Sequence, residues 1–334
     1  MKKLFKIIGF ILAAVVVIAA AGVLYVRFAL PNVDPAPALA FDKTDVLVAR
    51  GKYLANHVTV CIDCHSERDW SRFSGPVVPH TEGKGGERFS HEMGFPGTFY
   101  ARNITSDPET GIGSWTDGEI YRAITTGVNK EGEPFFPVMP YPSYGKMTDT
   151  DIRSIIAYIR TLAPIKNPVP DSKADFPMNL ILRTMPVHST PTKETALNDV
   201  LAKGKYLATI GACADCHTPK EKGANIEGMD FAGGMEFAMP IGTLRSANIS
   251  PDKSTGIGNW TEEDFVKRFK DTATPEALAK KVAPGDFNTI MPWSMYGGME
   301  ESDLRAIYKY LMSLEPIKHP IEKFTPAEKT VARK

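Results

Sequence analysis

Cysteine is scarce in this sequence. Only four of the 334 residues are cysteines, and all four lie in two short stretches, CIDCH (61–65) and CADCH (213–217). No cysteine remains to join distant segments, so a fold held together by a disulfide framework is excluded. The sequence therefore raises the question of which chemistry uses one five-residue pattern twice.

An excess of charge of either sign is also absent. The chain has 39 basic and 39 acidic residues, its formal net charge is zero, and no stripe of Lys and Arg stands out. Proteins that bind nucleic acid ordinarily show a basic excess or a basic patch. The composition therefore argues against nucleic acid as a partner.

Several other signatures are missing from the sequence. It has no sustained alternation of apolar and polar residues of the kind that marks strands, which favours a mainly α fold. It also has no serine triad, phosphate-binding loop or paired-carboxylate motif that would mark a different active site. The two cysteine stretches are therefore the main candidates for chemistry.

One long apolar run is present, at residues 7–26 (IIGFILAAVVVIAAAGVLYV). Its length is about what a helix needs to cross ~30 Å of hydrocarbon. Lys2, Lys3 and Lys6 precede the run, which predicts a single-pass membrane anchor with the N-terminus in the cytoplasm and everything after Arg27 outside. The alternative is a signal peptide cleaved near the small residues at 38–40, although the apolar run is longer than in most signal peptides and ends well before that site.

The chain also repeats itself. The offset of 152 that aligns Cys61 with Cys213 also aligns Met139 with Met291, and NITSDPETGIGSWTDGEI (103–120) recurs as NISPDKSTGIGNWTEEDF (248–265). A duplication of this length predicts two homologous domains. We expect an anchor and short linker at 1–40, a first domain at 41–168, a proline-rich linker at 169–194, a second domain at 195–321 and a polar tail at 322–334.

Helical patterns occur in both copies. Residues 152–162 have apolar side chains at helical spacing, preceded by the capping-box pair Thr148 and Asp151. An earlier helical pattern contains Gly51 in the first copy and Gly204 in the second, although glycine in a helix costs ~1 kcal/mol relative to alanine. Its reuse predicts a close helix crossing that a side chain would block.

Paired cysteines serve three kinds of chemistry, and each kind predicts different residues beside the cysteines in the sequence. A redox-active pair suits a Cys-x-x-Cys loop better than a structural disulfide does. A zinc site needs four ligands, with its histidines usually a few residues apart. Here His65 and His217 directly follow the second cysteine of each stretch. Cys-x-x-Cys-His is the attachment pattern of haem c, in which the two thiols bond to the haem and the histidine binds iron.

The repeat also indicates a second axial ligand for each iron. Met139 and Met291 lie 78 residues after Cys61 and Cys213 respectively, and a proline follows each. The alternative is that both methionines simply fill the core. The histidines outside the two motifs do not recur between the copies, and we interpret them as surface or loop residues.

Other recurring residues have two open interpretations. Asn103, Trp115, Asn248 and Trp260 either contact the haem propionates and the ring edge, or cap turns and pack in the core. Four arginines are further candidates for balancing propionate charge, namely Arg68, Arg72, Arg102 and Arg245.

Both copies resemble class I cytochrome c domains. They are similar in particular to the cytochrome c subunits of membrane-bound bacterial alcohol and gluconate dehydrogenases, and the resemblance lies in NITxDxxTGIGxW, the Met-Pro pair and the last helix. The resemblance covers residues 45–320 and implies two tandem class I cytochrome c domains. Together with the apolar run, it gives the expected fold, which is mainly α, with an N-terminal transmembrane helix followed by these two domains. It implies two covalent haem c groups, held by Cys61, Cys64, His65 and Met139 and by Cys213, Cys216, His217 and Met291. The sequence departs from that family in having two haem motifs instead of three, and an N-terminal anchor.

The resemblance implies an electron carrier rather than an enzyme. His/Met ligation leaves no open position on the iron, so we expect a relay between a quinol-oxidising complex or a dehydrogenase and a terminal oxidase. The alternative is an enzyme of the dihaem cytochrome c peroxidase type, in which one iron must open to bind peroxide. A docking subunit with incidental haems is a third possibility.

Overall fold

The computed structural model describes residues 1–239, 241–283 and 285–327, and helices dominate this part of the chain, as the sequence predicts. The helix at Asp45–Tyr53 continues directly into a π-helical turn at Leu54–Val58. The helices are α1 (Lys2–Ala29), α2 (Asp45–Tyr53), α3 (Cys61–Cys64), α4 (Asp117–Thr126), α5 (Tyr141–Tyr144), α6 (Asp149–Ile159), α7 (Met178–Ile181), α8 (Val200–Ile210), α9 (Cys213–His217), α10 (Glu262–Lys270), α11 (Pro275–Leu278), α12 (Trp293–Tyr296) and α13 (Glu301–Met312).

The strands are short and form three small antiparallel sheets. The first sheet consists of β1 (Arg88–Phe89), β2 (Gly97–Tyr100) and β3 (Lys173–Ala174), with β2 in the centre. The second consists of β4 (Lys220–Glu221) and β5 (Ala224–Asn225). The third consists of β6 (Glu236–Met239), β7 (Gly242–Arg245) and β8 (Phe324–Pro326), with β7 in the centre.

Two of these strands lie in segments that the sequence treats as linker and tail. β3 belongs to residues 169–194 and pairs with β2, so this segment is partly folded onto the first copy. β8 belongs to residues 322–334, where Phe324 is in register with Leu244. Residues 322–327 are therefore not a free tail, because they complete a sheet, while 328–334 lie outside the described residues.

Helix α1 is long and apolar enough to cross a membrane by length and composition. None of its residues is buried against the rest of the protein. The segment that follows α7 approaches the end of α1, where Arg183 Nε donates to the carbonyl oxygen of Leu30 (3.0 Å).

The helices of the two copies correspond. Residues 41–168 (the first repeat) contribute α2, α3, α4, α5 and α6, and residues 195–321 (the second repeat) contribute the matching helices α8, α9, α10, α12 and α13. The second repeat also contains the short helix α11. The recurring Trp-Thr segments begin α4 and α10, where Thr116 and Thr261 form capping boxes with Glu119 and Asp264.

Glycine marks the helix crossing of each repeat, as predicted. A Cβ at Gly51 would lie 1.8 Å from the carbonyl oxygen of Ser154 in α6, and a Cβ at Gly204 would lie 2.0 Å from that of Ala306 in α13. No side chain fits at either position, because the two backbones are in direct contact.

The predicted capping box of α6 is only half present. The Thr148 hydroxyl accepts a hydrogen bond from the backbone N–H of Asp151 (3.2 Å). The Asp151 carboxylate does not return to the cap, because Arg50 engages it through two hydrogen bonds of 2.9 and 3.0 Å.

Two matching tyrosine–aspartate hydrogen bonds join the repeats. Tyr53 Oη donates to Asp303 Oδ2, and Tyr206 Oη donates to Asp151 Oδ2, each at 2.7 Å. Each tyrosine oxygen also accepts from the backbone N–H at the N-cap of the opposing helix, at 3.1 Å in both cases. Burial, together with the facing carboxylate, raises the pKa of both tyrosines, so both remain donors at neutral pH.

One apolar core runs through both repeats, with Leu54 and Ile152 from the first and Leu207 and Leu304 from the second among its buried members. His57, which we expected at the surface, is half-buried at this interface. Its Nδ1 hydrogen-bonds the carbonyl oxygen of Met295 in the second repeat (2.9 Å).

Candidate haem sites

Each Cys-x-x-Cys-His stretch forms a short helical turn. The residue before each turn, Val60 or Ala212, has a left-handed φ of 46° or 54°, which is uncommon for a residue with a Cβ. This residue redirects the chain into α3 or α9. Because residues three apart share one face of a helical turn, each pair of thiols points to the same side.

The four cysteine thiols are free. Burial raises the pKa of the Cys64 and Cys213 thiols to about 12 and also raises that of Cys61. A redox-active pair would have a lowered thiol pKa. Among the described residues, no group of three or more His, Cys, Asp and Glu side chains is arranged to hold a metal ion. Both observations weigh against the redox and zinc interpretations.

The two motif histidines are oriented in the same way. His65 Nδ1 lies 2.6 Å from the carbonyl oxygen of Arg102, and His217 Nδ1 lies 2.7 Å from that of Ala247. Since a carbonyl oxygen only accepts, Nδ1 carries the proton and Nε2 keeps a free lone pair. Burial lowers the pKa of both imidazoles, which favours the neutral form. A neutral imidazole with its second nitrogen fixed by a carbonyl is the usual arrangement of a metal-binding histidine.

Asn103 and Asn248 organise the loops that carry these two carbonyls. Asn103 Nδ2 donates to Ile165 O (2.7 Å) and Thr110 Oγ1 (3.1 Å), while its Oδ1 accepts from Thr105 N (2.9 Å). Asn248 makes the three corresponding bonds in the second repeat. The amide group of each asparagine thus donates once within its own loop and once to a carbonyl that follows the last helix of the repeat. This use of the amide favours the turn-forming interpretation over a propionate contact.

Met139 and Met291 lie in identical tight turns. The backbone N–H two residues later, that of Tyr141 or Trp293, donates to the methionine carbonyl oxygen at 2.7 Å in both repeats. The intervening proline is the N-cap of α5 or α12. Met139 also packs against the core.

A tyrosine ties each methionine turn to the cysteine motif of its own repeat. Tyr144 Oη donates to the carbonyl oxygen of Thr59 (2.6 Å), and Tyr296 Oη donates to that of Gly211 (2.8 Å). Thr59 and Gly211 each lie two residues before the first cysteine. In each repeat, the helix that follows the methionine turn is therefore bonded to the segment that leads into the cysteine motif.

The two recurring tryptophans have different surroundings. Trp115 is half-buried and packs against the core, whereas Trp260 is 37% exposed. Core packing thus describes Trp115 better than Trp260, and a contact with a haem edge remains a prediction for both.

Each of the four candidate arginines already has an acidic partner. Arg68 Nη1 lies 3.0 Å from Asp63 Oδ2, and both side chains are buried. Arg72, Arg102 and Arg245 pair with acidic side chains at more exposed positions. The buried pair lies partly inside CIDCH and was not predicted, since an aspartate between the cysteines and an arginine beyond them show no distinctive pattern.

Two hydrogen bonds across the repeat interface link segments of the two candidate sites. Ser143, four residues after Met139, donates its Oγ hydrogen to Asp215 Oδ2 of CADCH (3.0 Å). In the opposite direction Ser74, which follows CIDCH, donates to the carbonyl oxygen of Met291 (2.6 Å). Each site is therefore in hydrogen-bond contact with a segment that belongs to the other.

The donor set of each repeat fits a covalently attached haem. It consists of two free thiols on one face of a turn, an imidazole with Nε2 available and a thioether in a constrained turn. These are the groups that attach and ligate haem c.

Comparisons with known proteins agree with this assignment. Residues 201–315 match the family model described as cytochrome c. The chain is 31% identical over 298 residues to the cytochrome c subunit of an alcohol dehydrogenase (quinone) from Gluconobacter oxydans, which covers 84% of this chain and 57% of the relative.

Two further relatives carry similar descriptions. The gluconate 2-dehydrogenase cytochrome c subunit of Pantoea cypripedii is 32% identical over 294 residues, covering 83% of this chain and 62% of the relative. A diheme cytochrome c-type protein of Cereibacter sphaeroides is 28% identical over 266 residues, covering 77% of this chain and 82% of the relative. The chain thus spans less than two thirds of the length of the dehydrogenase subunits that it matches.

Proposed function

The chain belongs to the cytochrome c family, and from this premise we propose that it is a membrane-anchored dihaem cytochrome c that relays electrons. One observation carries the proposal: a complete set of thiol, imidazole and thioether donors occurs twice, in the same geometry. The proposal includes two tandem class I cytochrome c domains, at 41–168 and 195–321, with one haem c each.

Matching residues have the same proposed roles in both domains. Cys61 and Cys64 would hold the first haem through thioether bonds, and His65 Nε2 and Met139 Sδ would bind its iron. Cys213, Cys216, His217 and Met291 would do the same in the second domain. Haem c supplies a one-electron couple between ferrous and ferric iron, and a methionine ligand raises its potential.

The protein's own contacts favour transfer over substrate chemistry. The carbonyl oxygens of Arg102 and Ala247 keep the two imidazoles in one orientation. Tyrosine hydroxyls connect the turns of Met139 and Met291 to the same motifs. The protein around each iron would therefore rearrange little when the iron gains or loses an electron. A site closed on both axial sides leaves no position for a substrate, which supports a carrier over a peroxidase.

Contact between the two sites supports a relay through both haems. The hydrogen bonds of Ser143 with Asp215 and of Ser74 with Met291 support this arrangement, because each joins a segment of one proposed site to a segment of the other. An electron received by one haem would then pass to the other across this interface. The relatives' descriptions support a dehydrogenase as donor, and we propose a quinol-oxidising complex as the alternative donor and a terminal oxidase as acceptor.

We expect two covalent haems per chain in the purified protein. Thioether bonds do not depend on the fold, so both haems should remain attached after denaturation. Replacing Cys213 and Cys216 by alanine should lower the count from two to one without affecting the first domain's haem. A pyridine haemochrome assay measures the count, and one haem or none in the unmodified chain would contradict the dihaem assignment.

Helix α1 is the proposed anchor, with the N-terminus cytoplasmic and the haem domains periplasmic in the inner membrane. The lysines that precede the apolar run support this orientation. Because α1 buries no residue against the rest of the protein, replacing residues 1–29 by a cleavable export signal should give a soluble protein with both haems. Sedimentation of the truncated protein with membranes in high salt would show that another segment holds it there.

A further inference from the structure

The methionine turn of the second repeat is held by a loop of the first repeat. The loop comprises residues 69–76, directly after the CIDCH motif, and Ser74 lies at its centre. We propose that Ser74 is a positioning residue for Met291, so that the first domain controls how firmly the second haem is closed. This inference rests on the proposed role of Met291 as an axial ligand.

Ser74 bridges the turn with a single hydroxyl group. Its Oγ donates to the carbonyl oxygen of Met291 (2.6 Å) and accepts from the backbone N–H of Trp293 (3.0 Å). The residue between them, Pro292, has no N–H of its own. The hydroxyl therefore clamps both sides of the Met-Pro-Trp turn, and Ser74 is only 1% exposed.

The backbone conformation of Ser74 shows that this placement is specific. Its φ is +64°, a left-handed conformation that a residue with a Cβ keeps only where its surroundings enforce it. Asn288 supplies part of that enforcement, because its Oδ1 accepts from Ser74 N (2.9 Å) and its Nδ2 donates to the carbonyl of Arg72 (3.1 Å).

Additional backbone contacts fix the loop on the second repeat. Phe73 N donates to Lys280 O (2.9 Å), and Val282 N donates to Ser71 O (2.8 Å). The loop therefore meets the chain before Met291 as an ordered strand-like pairing. Several bonds of this kind make a rigid support rather than a passing contact.

The other end of the support lies inside the first haem motif. Arg68 Nη2 donates to the carbonyl of Ser74 (2.7 Å), and Nη1 of the same guanidinium lies 3.0 Å from Asp63 Oδ2 of CIDCH. Both charged side chains are buried, and removing one partner of a buried pair is strongly destabilising because the other charge is left uncompensated. A continuous chain of bonds thus runs from the first motif through Ser74 to Met291.

The support is not reciprocal. Among the described residues, no side chain of the second repeat hydrogen-bonds Met139, Pro140 or Tyr141. The nearest such contact is that of Asp215 with Ser143, four residues beyond Met139. After CADCH, the chain forms the exposed hairpin β4–β5. Loss of Ser74 should therefore affect only one of the two haems.

The test is Ser74→Ala in the full-length haem-loaded protein, with carbon monoxide binding to the reduced form as the readout. We expect partial carbon monoxide binding to appear at one haem of this variant, whereas the unmodified protein binds none. The charge-transfer absorption of methionine-bound ferric haem should weaken by no more than half, because the Met139 site is untouched. Ser71→Ala is the matched control, since the Ser71 hydroxyl bonds only Asp69 in the same loop.

Ser74→Gly separates positioning from folding. Glycine suits the left-handed φ, so this variant should keep its thermal stability and still open the second haem. Double variants identify that haem: the effect of Ser74→Ala should vanish in Met291→Ala and persist in Met139→Ala. Carbon monoxide binding equal to that of Ser71→Ala, or an equal rise at both haems, would overturn the inference.

Different results would contradict the support by Ser74 and the role of Met291 as an iron ligand. If Met291→Ala opens a carbon monoxide site and neither Ser74 variant changes the binding, the support by Ser74 is wrong and the ligand assignment stands. If Met291→Ala opens no site, Met291 is not a ligand, and both proposals fall.

Discussion

Replacing Met139 or Met291 by alanine is expected to raise carbon monoxide binding from none to one molecule per chain. The thioether closes one side of the iron, so its removal leaves a position that water fills weakly and carbon monoxide fills tightly. The potential of that haem should also fall, because a methionine ligand favours ferrous iron. Optical titration of the reduced protein measures the stoichiometry, and a high-spin ferric signal reports the opened site.

Met93→Ala is a suitable control for both variants. Met93 lies in a short 3₁₀ turn outside the methionine register of the repeats, so its loss should leave both irons closed. The double variant Met139→Ala/Met291→Ala should bind two molecules per chain. Single variants that remain closed would show that another side chain is the ligand.

Replacing Gly51 or Gly204 by alanine is expected to destabilise the protein by about 3 kcal/mol or more. Intrinsic helix propensity alone predicts the opposite, since alanine is favoured over glycine by ~1 kcal/mol in a helix. The steric contact outweighs helix propensity and makes the substitution destabilising, because the new Cβ would lie 1.8 Å from a carbonyl oxygen at Gly51 and 2.0 Å from one at Gly204. Such an overlap forces two packed helices apart, at the upper end of the usual overpacking cost of about 1–3 kcal/mol.

Chemical denaturation followed by circular dichroism measures this effect. Lys52→Ala and Lys205→Ala are matched controls, because each replaces the exposed neighbour in the same helix and should change stability by about 0.5 kcal/mol or less. A Gly204→Ala protein as stable as the unmodified one would contradict the close crossing of α8 and α13.

Most of the residues proposed for each site could be selected from the sequence. The motif cysteines, histidines and methionines recur at fixed spacing, and the reuse of Gly51 and Gly204 predicted two helix crossings that the structure contains. These features are local or repeated, so one sequence shows them. The Tyr53 and Tyr206 pairs also recur, and their position next to the glycines is the signal that would have revealed them.

Contacts between the repeats could not be predicted in the same way. Ser74 and Met291 are distant in the chain, and the second repeat has no counterpart of the Ser74 loop, so neither periodicity nor repetition reveals the contact. The position of His57 at the interface was missed for the same reason. The polar composition of residues 322–334 concealed β8, because pairing with β7 depends on tertiary proximity rather than on an alternating pattern.

The most direct measurement is carbon monoxide binding and peroxide turnover by the unmodified, fully reduced protein. A relay with two closed irons should bind no carbon monoxide at neutral pH, give two low-spin ferric signals when oxidised, and reduce peroxide no faster than free haem c peptide. Stoichiometric binding of one carbon monoxide per chain together with rapid peroxide reduction would contradict it and would identify a peroxidase with one methionine unbound.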